Sequence, residues 1–405
     1  MPTEAKTVVV AFSGGLDTTF CVAYLKEQGY RVETVTVDNG GFDGSELALI
    51  KERAFLAGAN RHHQIKVEQE TYDKIIQYII KGNILKGNCY PLCVGAERFI
   101  QAEKLVELAR KLNAQSVCHG CTAAGNDHIR FETALRALAP ELDIIAPIRD
   151  LEITREDEFS FLAKRNIKIN NRTETYSINR GILGTTIGGK ESHHSWLDFP
   201  EDAYTLTKNP DLAPAEGLSL EIEFSAGLPV ALDGCRLTGL EILKRLNALA
   251  ALHGFGRGIH CGDTIMGIKG RIAFEAPGIL TLIEAHRELE KLVLTASQVE
   301  MKEMLAVRYG QMLHSGLYKD AAMRDIESFL NSSQRFVSGK VKVLIKRGVL
   351  RISGVDSPYS LINPKAHYGE TSSLWSSADA AGFARIFGQQ AVLSAWREFN
   401  YGSGH

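Results

Sequence analysis

Apolar positions along this chain follow two rhythms. The first is set by Thr7-Val8-Val9-Val10-Ala11, a continuous apolar run of the kind a strand shows when both faces of a parallel sheet are covered. The turn Ser13-Gly14-Gly15 then lets the backbone bend sharply before a helix over 19–29, which ends at Gly29. Residues 30–38 are rich in β-branched types and read as a second strand, ending at Asn39-Gly40-Gly41. Helices are expected over 45–57, 72–81 and 94–112, and strands over 63–67, 116–119 and 143–146. This alternation predicts a parallel sheet with helices on both faces and ligands at the C-terminal strand ends, where Ser13, Val37 and Gly120 fall.

After the polar cluster Asn170-Asn171-Arg172-Thr173 the rhythm changes. Segments 220–224 and 228–232 alternate about Ala226-Gly227 as a hairpin, and 341–345 with 349–352 do so about Lys346-Arg347-Gly348. Helical periodicity covers 240–252, 280–292, 301–317 and, at the end, 385–399. The pattern predicts an α/β domain over 1–170 and an α+β domain after it, with a terminal helix whose apolar face would dock on the chain's own core.

Composition narrows the picture. A chain of 405 residues with 44% hydrophobic content has room for two domains, and a net charge of -2 offers no global basic field for nucleic acid. No apolar run approaches membrane-spanning length, and no charged-then-apolar signal precedes the first strand, so the cytoplasm is expected. Seven cysteines in such a chain fit reduced thiols. Cys89-x-x-x-Cys93 with Cys118-x-x-Cys121 admits a zinc reading, but only one pair has tight spacing, and a strand aims residues three apart at opposite faces. Small buried hydrophobes are the better expectation, and no metal ligand is assigned to the protein.

Two stretches carry chemistry. After the first strand, the glycine turn and the opening amides of the helix converge, together with the positive end of the helix dipole, so a diphosphate could sit there without a side-chain cation. Ser13, Thr18 and Thr19 add hydroxyls. Asp17 would repel a phosphate unless Mg²⁺ lies between or the carboxylate turns away to order the loop. The second stretch runs from His119 to Glu132 and presents Thr122, Asn126, Asp127 and Arg130 among small residues. An amide, a carboxylate and a forked cation suit a zwitterionic amino acid. An Asn-Asp helix cap followed by a solvated Arg accounts for the same spacing equally well.

Ser13-Gly14-Gly15-Leu16-Asp17-Thr18 is similar to the pyrophosphate loop of ATP pyrophosphatases, which split ATP to AMP and pyrophosphate to activate an oxygen. With His119-Gly120-Cys121-Thr122-Ala123-Ala124-Gly125-Asn126-Asp127-His128-Ile129-Arg130-Phe131, the chain resembles the argininosuccinate synthase family, whose signature reads His-Gly-x-Thr-Gly-Lys-Gly-Asn-Asp-Gln-Val-Arg-Phe. Tyr90 with Arg98, Tyr176-Ser177-Ile178-Asn179, Pro200-Glu201-Asp202-Ala203-Tyr204, Ala285-His286-Arg287-Glu288-Leu289-Glu290 and Ser357-Pro358-Tyr359 extend the resemblance over nearly the whole chain.

The resemblance implies a nucleotide-binding domain of the ATP pyrophosphatase type over 1–170, an α+β synthetase domain over 171–377 and a helical arm over 378–405 that reaches a neighbour in a homotetramer. It implies ligation of citrulline and aspartate with Mg²⁺ and ATP, in arginine biosynthesis. Ala11, Phe12, Ser13, Gly14, Gly15, Leu16, Asp17, Thr18, Thr19, Val37 and Gly120 would hold ATP. Thr122, Asn126 and Asp127 would meet aspartate, and Tyr90, Asn126, Arg130, Ser177 and Thr186 citrulline. No catalytic base is implied, since an attacking amine need only arrive deprotonated.

The chain also departs from the family pattern. Ala123-Ala124 replaces Gly-Lys, Gly95 and Thr186 replace Ser, Phe274 replaces Tyr, and Gly262-Asp263 replaces Glu-Asn, where the Glu clasps the α-amino group of citrulline. Either Asp263 takes over, or the substrate is an N-acylated citrulline or other ureido compound without a free amine. Another ATP-pyrophosphatase ligase would share the first loop alone, and a non-catalytic paralogue would bind nucleotide without releasing pyrophosphate.

Overall fold

Valines 8, 9 and 10 are fully buried, and their alternation organises the first half of the molecule. In this computed structural model, which describes residues 5–168 and 176–401, Val9 joins a core with Val35, Val117, Ile79 and Leu105. Val8 and Val10 point the other way, to Phe20, Val22, Leu25 and Leu162. A strand with two covered faces is central, and β1 (Thr7–Ala11) lies mid-sheet between β2 (Arg31–Asp38) and β4 (Ser116–Cys118). With β3 (Arg61–Lys66) and β5 (Asp143–Ile145) they form a parallel sheet of order β3-β2-β1-β4-β5. Helices α1 (Leu16–Glu27), α2 (Gly44–Leu56), α3 (Glu68–Thr71), α4 (Gln77–Gly82), α5 (Arg98–Lys111), α6 (Asp127–Leu138), α7 (Pro147–Asp150) and α8 (Arg155–Ala163) connect and flank the strands.

The helix expected over 72–81 differs in winding: residues 72–76 make a π-helical turn before α4, which Asn83 ends in the left-handed region at φ 49°. Strand order reverses between β1 and β4, so the crevice at their C-terminal ends is the natural place for a ligand.

The rest of the main body is antiparallel. Strands β6 (Tyr176–Gly181) and β7 (Gly184–Gly189) join β11 (Arg257–Asp263) and β12 (Lys269–Glu275) in the order β11-β12-β7-β6. Strands β8 (Leu218–Ser225), β9 (Leu228–Leu232), β10 (Cys235–Arg236), β13 (Gly339–Lys346) and β14 (Val349–Asp356) form a second sheet, β10-β9-β8-β13-β14. Both expected hairpins are present. Their turn residues Ala226-Gly227 and Arg347-Gly348 all have positive φ, as a tight two-residue hairpin requires.

Helices α9 (Gly239–Leu252), α10 (Pro277–Val293), α11 (Ala296–His314) and α12 (Ala321–Ser333) bury Leu246, Leu282, Leu313 and Leu330 in the same core that holds Val9. The core also contains a fully desolvated ion pair, Lys302 Nζ to Glu290 Oε2 at 2.6 Å, which Gln334 and Asn83 complete by donating to the same carboxylate.

The compact body runs to Tyr359, and a second unit begins at Ser360. The polar cluster at 170–173 lies outside the described residues. In the second unit, the single helix expected over 385–399 is two, α13 (Ser377–Ile386) and α14 (Gln389–Tyr401), because Gly388 adopts φ +80° between them. Among the described residues no helix is long and apolar enough to cross a membrane.

Candidate functional site

The turn after β1 is built almost wholly from backbone. Thr36 donates its hydroxyl to the Phe12 carbonyl at 2.6 Å, and Arg53 of α2 donates Nη1 to the Gly14 carbonyl at 2.9 Å. Gly14 has φ +74°, and a Cβ there would lie 2.9 Å from Ile50 Cγ1, so a side chain is refused twice. Gly15 caps α1 in an extended conformation without a side-chain acceptor, which leaves the first-turn amides directed at the space before the loop. Gly120, after β4, closes that space from the side: a Cβ would stand 3.1 Å from Thr18 Cγ2 and 3.2 Å from the Thr18 amide nitrogen.

One side chain of this stretch acts differently from the expectation that it adds a hydroxyl to the ligand space. Thr19 is wholly buried and donates its hydroxyl to the Gly15 carbonyl at 2.7 Å, because its place on α1 faces the preceding turn; Ser13 and Thr18 are the reachable hydroxyls. Asp17 resolves the conflict raised by its charge through α8. Burial, with the Asp17 charge and a hydrogen bond to it, pushes the Glu158 carboxyl up to about 8, so Glu158 keeps its proton near neutrality and meets Asp17 as a neutral acid. Buried Cys21 and Cys118 lie alongside, and the hydrogen bond between them and burial push the Cys21 thiol well up. All seven cysteines are free, Cys118 buried and Cys121 half-buried.

The second stretch leaves β4 and opens α6. Asn126 stands at the N-cap of this helix, but its side chain makes no cap bond; its Oδ1 accepts from the Ile265 amide at 2.9 Å, tying the β11–β12 hairpin tip to the turn. Asp127 Oδ2 accepts from Arg98 Nε at 3.0 Å and Nη2 at 2.9 Å, and Oδ1 from Arg130 Nη1 at 2.7 Å. Burial opposes the charge, but the two guanidinium groups outweigh it and hold the Asp127 carboxyl well below the usual range. Arg130 is only 8% exposed, and its Nε donates to the His314 carbonyl at 2.7 Å. A helix cap with a solvated Arg is therefore not what these residues make. Thr122 remains exposed at the start of the turn. Gly95 explains one departure, since a Cβ there would sit 3.2 Å from Arg130 Cζ: the guanidinium fills the space a side chain would take.

Tyr90 is buried and donates its hydroxyl to the Cys93 carbonyl at 2.6 Å. Its ring stacks on His260 with centroids 5.5 Å apart and tilts against Phe274 at 5.3 Å. The turn to Gly95 is strained, with Leu92 and Val94 both at positive φ, 61° and 62°. Pairing of Asn179 with Thr186, Thr186 with Phe274 and Phe274 with Gly258 puts these residues on one face of the antiparallel sheet. Strand alternation adds Ser177 and His260 to that face; Ser177 is exposed and Thr186 half-buried. Val37, half-buried at the end of β2, lies at the strand-end level of the glycine turn.

Lys86, His260 and His314 carry no local signal in the sequence, yet they converge here. Lys86 Nζ donates to the Asp263 carbonyl at 2.7 Å and lies 2.9 Å from His314 Nε2. Asp263 itself turns outward: it is 65% exposed and its carboxylate takes Lys269 at 2.6 Å, so it does not replace an inward acid. Gly262 faces His260, whose Nε2 would be 2.7 Å from any Cβ at 262. Among the described residues, the one carboxylate, thiol or imidazole trio within metal-binding reach is Glu70, Glu103 and Glu107, and its acids are already engaged by Lys74 and Lys104. The glycine turn offers no comparable set.

Residues 7–168 match the family description "Arginosuccinate synthase N-terminal HUP domain", and residues 176–394 match "Arginosuccinate synthase C-terminal domain". The chain is 37% identical to the argininosuccinate synthase of Methanocaldococcus jannaschii over 97% of its own length and 99% of the relative's. It is 38% identical to that of Xanthomonas campestris, covering 97% and 99%. For Bacillus licheniformis the identity is 34%, covering 95% and 96%. The chain belongs to the argininosuccinate synthase family.

Proposed function

We propose that the protein joins citrulline to aspartate with cleavage of ATP to AMP and pyrophosphate. The observation that carries this reading is the placement of an amide-lined anion turn at the end of β1 beside a charged turn, Asn126-Asp127-Arg130, at the end of the neighbouring β4. A ureido oxygen is a poor leaving group. Transfer of AMP to it, with loss of pyrophosphate, makes it a good one, and the aspartate amine then displaces AMP at the ureido carbon. The protein's part is to hold the reactants together, neutralise the leaving pyrophosphate and exclude water.

In this reading Ala11 to Thr19, Val37 and Gly120 hold ATP, with amides rather than cations at the phosphates. Thr19 contributes by ordering the turn. Thr122, Asn126 and Asp127 receive aspartate; a carboxylate has about four acceptor directions and Asp127 uses three, leaving one for the substrate ammonium. Arg130 pairs with the citrulline carboxylate, while Asn126, Tyr90, Ser177 and Thr186 line the same end. Mg²⁺ would arrive on the triphosphate, with phosphate and water oxygens supplying most of its shell. The division at residue 170 and a homotetramer built through the 378–405 arm belong to the same proposal, the latter supported by apolar Ile386, Phe387, Leu393, Trp396 and Phe399.

Pyrophosphate release from ATP, followed with citrulline and aspartate each omitted in turn and with EDTA added, tests the reading. Release that requires the ureido substrate and stops with EDTA is expected. Release indifferent to the ureido substrate would sink it. Light scattering checks the tetramer.

A further inference from the structure

Behind Arg130 lies a side-chain cluster whose charge has no counterpart. Lys86 reaches in from the segment after α4, His260 from β11 and His314 from the end of α11. The His314 backbone carbonyl takes Arg130 Nε at 2.7 Å, while its ring lies 2.9 Å from Lys86 Nζ, so the cluster adjoins the guanidinium assigned above to the substrate carboxylate. Among the described residues no carboxylate comes within ion-pairing distance of Lys86. Asp263 pairs with Lys269, and Asp127 with Arg98 and Arg130.

A second observation points to a missing partner. His260 is 8% exposed, its ring is held between two glycines, and its Nε2 has no hydrogen-bond partner. A Cβ at Gly87 would come within 2.9 Å of its Cε1, and one at Gly262 within 2.7 Å of its Nε2. Buried polar atoms are normally satisfied, and one left open beside an unpaired ammonium marks a place for a ligand acceptor atom.

We propose that Lys86, His260 and His314 form a carboxylate-accepting subsite for the amine-bearing end of the ureido substrate, so that the preferred substrate carries a short acidic acyl group there instead of a free ammonium. An ammonium placed beside Lys86 and Arg130 would meet two like charges, and Asp127, the acid that pairs with Arg130, is already divided between Arg98 and Arg130. A carboxylate would take a charge-assisted bond from Lys86 and one from the N–H of a neutral imidazole. Burial and the nearby Arg130 push Lys86 down to about 8, with Asp263 acting the other way. Burial, Arg130 and Lys86 push His314 down to about 3, and burial with Lys86 lowers His260, so both imidazoles are neutral donors at neutral pH.

The inference rests on the ligase reading for its substrate class, and its test separates the two. Citrulline, N-acetyl-citrulline and N-succinyl-citrulline are compared by calorimetric binding and by aspartate-dependent pyrophosphate release. The acetyl and succinyl compounds mask the amine alike and differ in the terminal carboxylate. The succinyl compound is expected to exceed the acetyl one by about tenfold or more in affinity and kcat/KM. Lys86→Gln should bring that ratio near one, Lys86→Arg should keep most of it, and the ratio should fall as pH rises through about 8, where Lys86 loses its proton among Arg130, Asp263, His260 and His314. Equal binding of the two acyl compounds, or a preference for free citrulline over both, would overturn the subsite. Selective binding of the succinyl compound without pyrophosphate release would leave the subsite standing and remove the ligase reading.

Discussion

The two ends of the site are built in opposite ways. At the nucleotide end, one contiguous stretch, 11–19, aims main-chain amides at a point, and neighbouring side chains such as Thr36 and Arg53 brace carbonyls without facing the ligand space. At the amino-acid end, charged side chains gathered from between Lys86 and His314 hold one another through Asp127, His314 and the Asp263 carbonyl. A backbone site is local and survives loss of a hydroxyl; a side-chain site is non-local, and each member is braced by charges that become unpaired when it goes. That contrast makes predictions that differ in size from one end to the other.

The largest effect belongs to Asp127. Replacing it with Ala leaves Arg98 and Arg130 side by side, largely buried and without their shared acid, and removing one partner of a buried charge network costs about 3–5 kcal/mol. Asp127→Ala should therefore lower the urea midpoint markedly and abolish aspartate-dependent turnover. Asp127→Asn, which keeps the shape, should recover part of the stability and little of the turnover. A variant as stable as the parent would show that the amino-acid end is not held together by this carboxylate.

Next is the proton that Glu158 holds beneath the nucleotide turn. Glu158 in the folded state titrates at about 8, well above the usual glutamate value, so between those two values the folded protein binds a proton that the unfolded chain has released. Its contribution is complete below the unfolded glutamate range and drains away as pH rises through about 8. Glu158→Gln cannot lose that proton and should gain on the order of 1–2 kcal/mol over the parent across this window, seen as a flatter plot of urea midpoint against pH. Parallel plots would mean that Glu158 is not held protonated in the folded protein.

Gly120→Val probes the same end from the side. With its Cβ 3.1–3.2 Å from atoms of Thr18 and Asp17, the added side chain crowds the opening amides of α1. The KM for ATP should rise tenfold to a hundredfold, about 1.4–2.7 kcal/mol, while the KM for aspartate moves far less. Equal loss for both substrates would place the damage in the fold instead of the turn.

The same contrast decides what the sequence could reveal. The valine run, the Ser13-Gly14-Gly15 turn and both hairpins are local patterns with local physical causes, and the structure has them where they are expected. The π-helical turn at 72–76 and the break at Gly388 are departures of winding inside apolar periodicity, which hydrophobic spacing does not register. At the amino-acid end, Asn126, Asp127 and Arg130 stand out as a cluster, but their spacing alone fits a helix cap, and only the burial of Arg130 and the bond from Arg98 decide the matter. Arg98 stands on another helix, and Lys86, His260 and His314 are single basic residues in unrelated segments. Nothing short of the tertiary fold makes them one site.

The smallest effect tests the backbone account most sharply. Thr19 is buried, and its hydroxyl donates to a Gly15 carbonyl that also accepts the Thr19 amide at 3.0 Å. Thr19→Val keeps the shape and the second bond, so no buried acceptor is left open, and the cost should stay at the ordinary net value of about 0.5–1.5 kcal/mol of stability. If phosphates are held by amides, the KM for ATP should change by no more than about threefold, since that turn keeps its path through Gly14 and the brace from Arg53. A loss of tenfold or more would mean that the hydroxyl itself reaches the nucleotide in the working enzyme. The nucleotide end would then depend on side chains as the other end does, and the contrast between them would disappear.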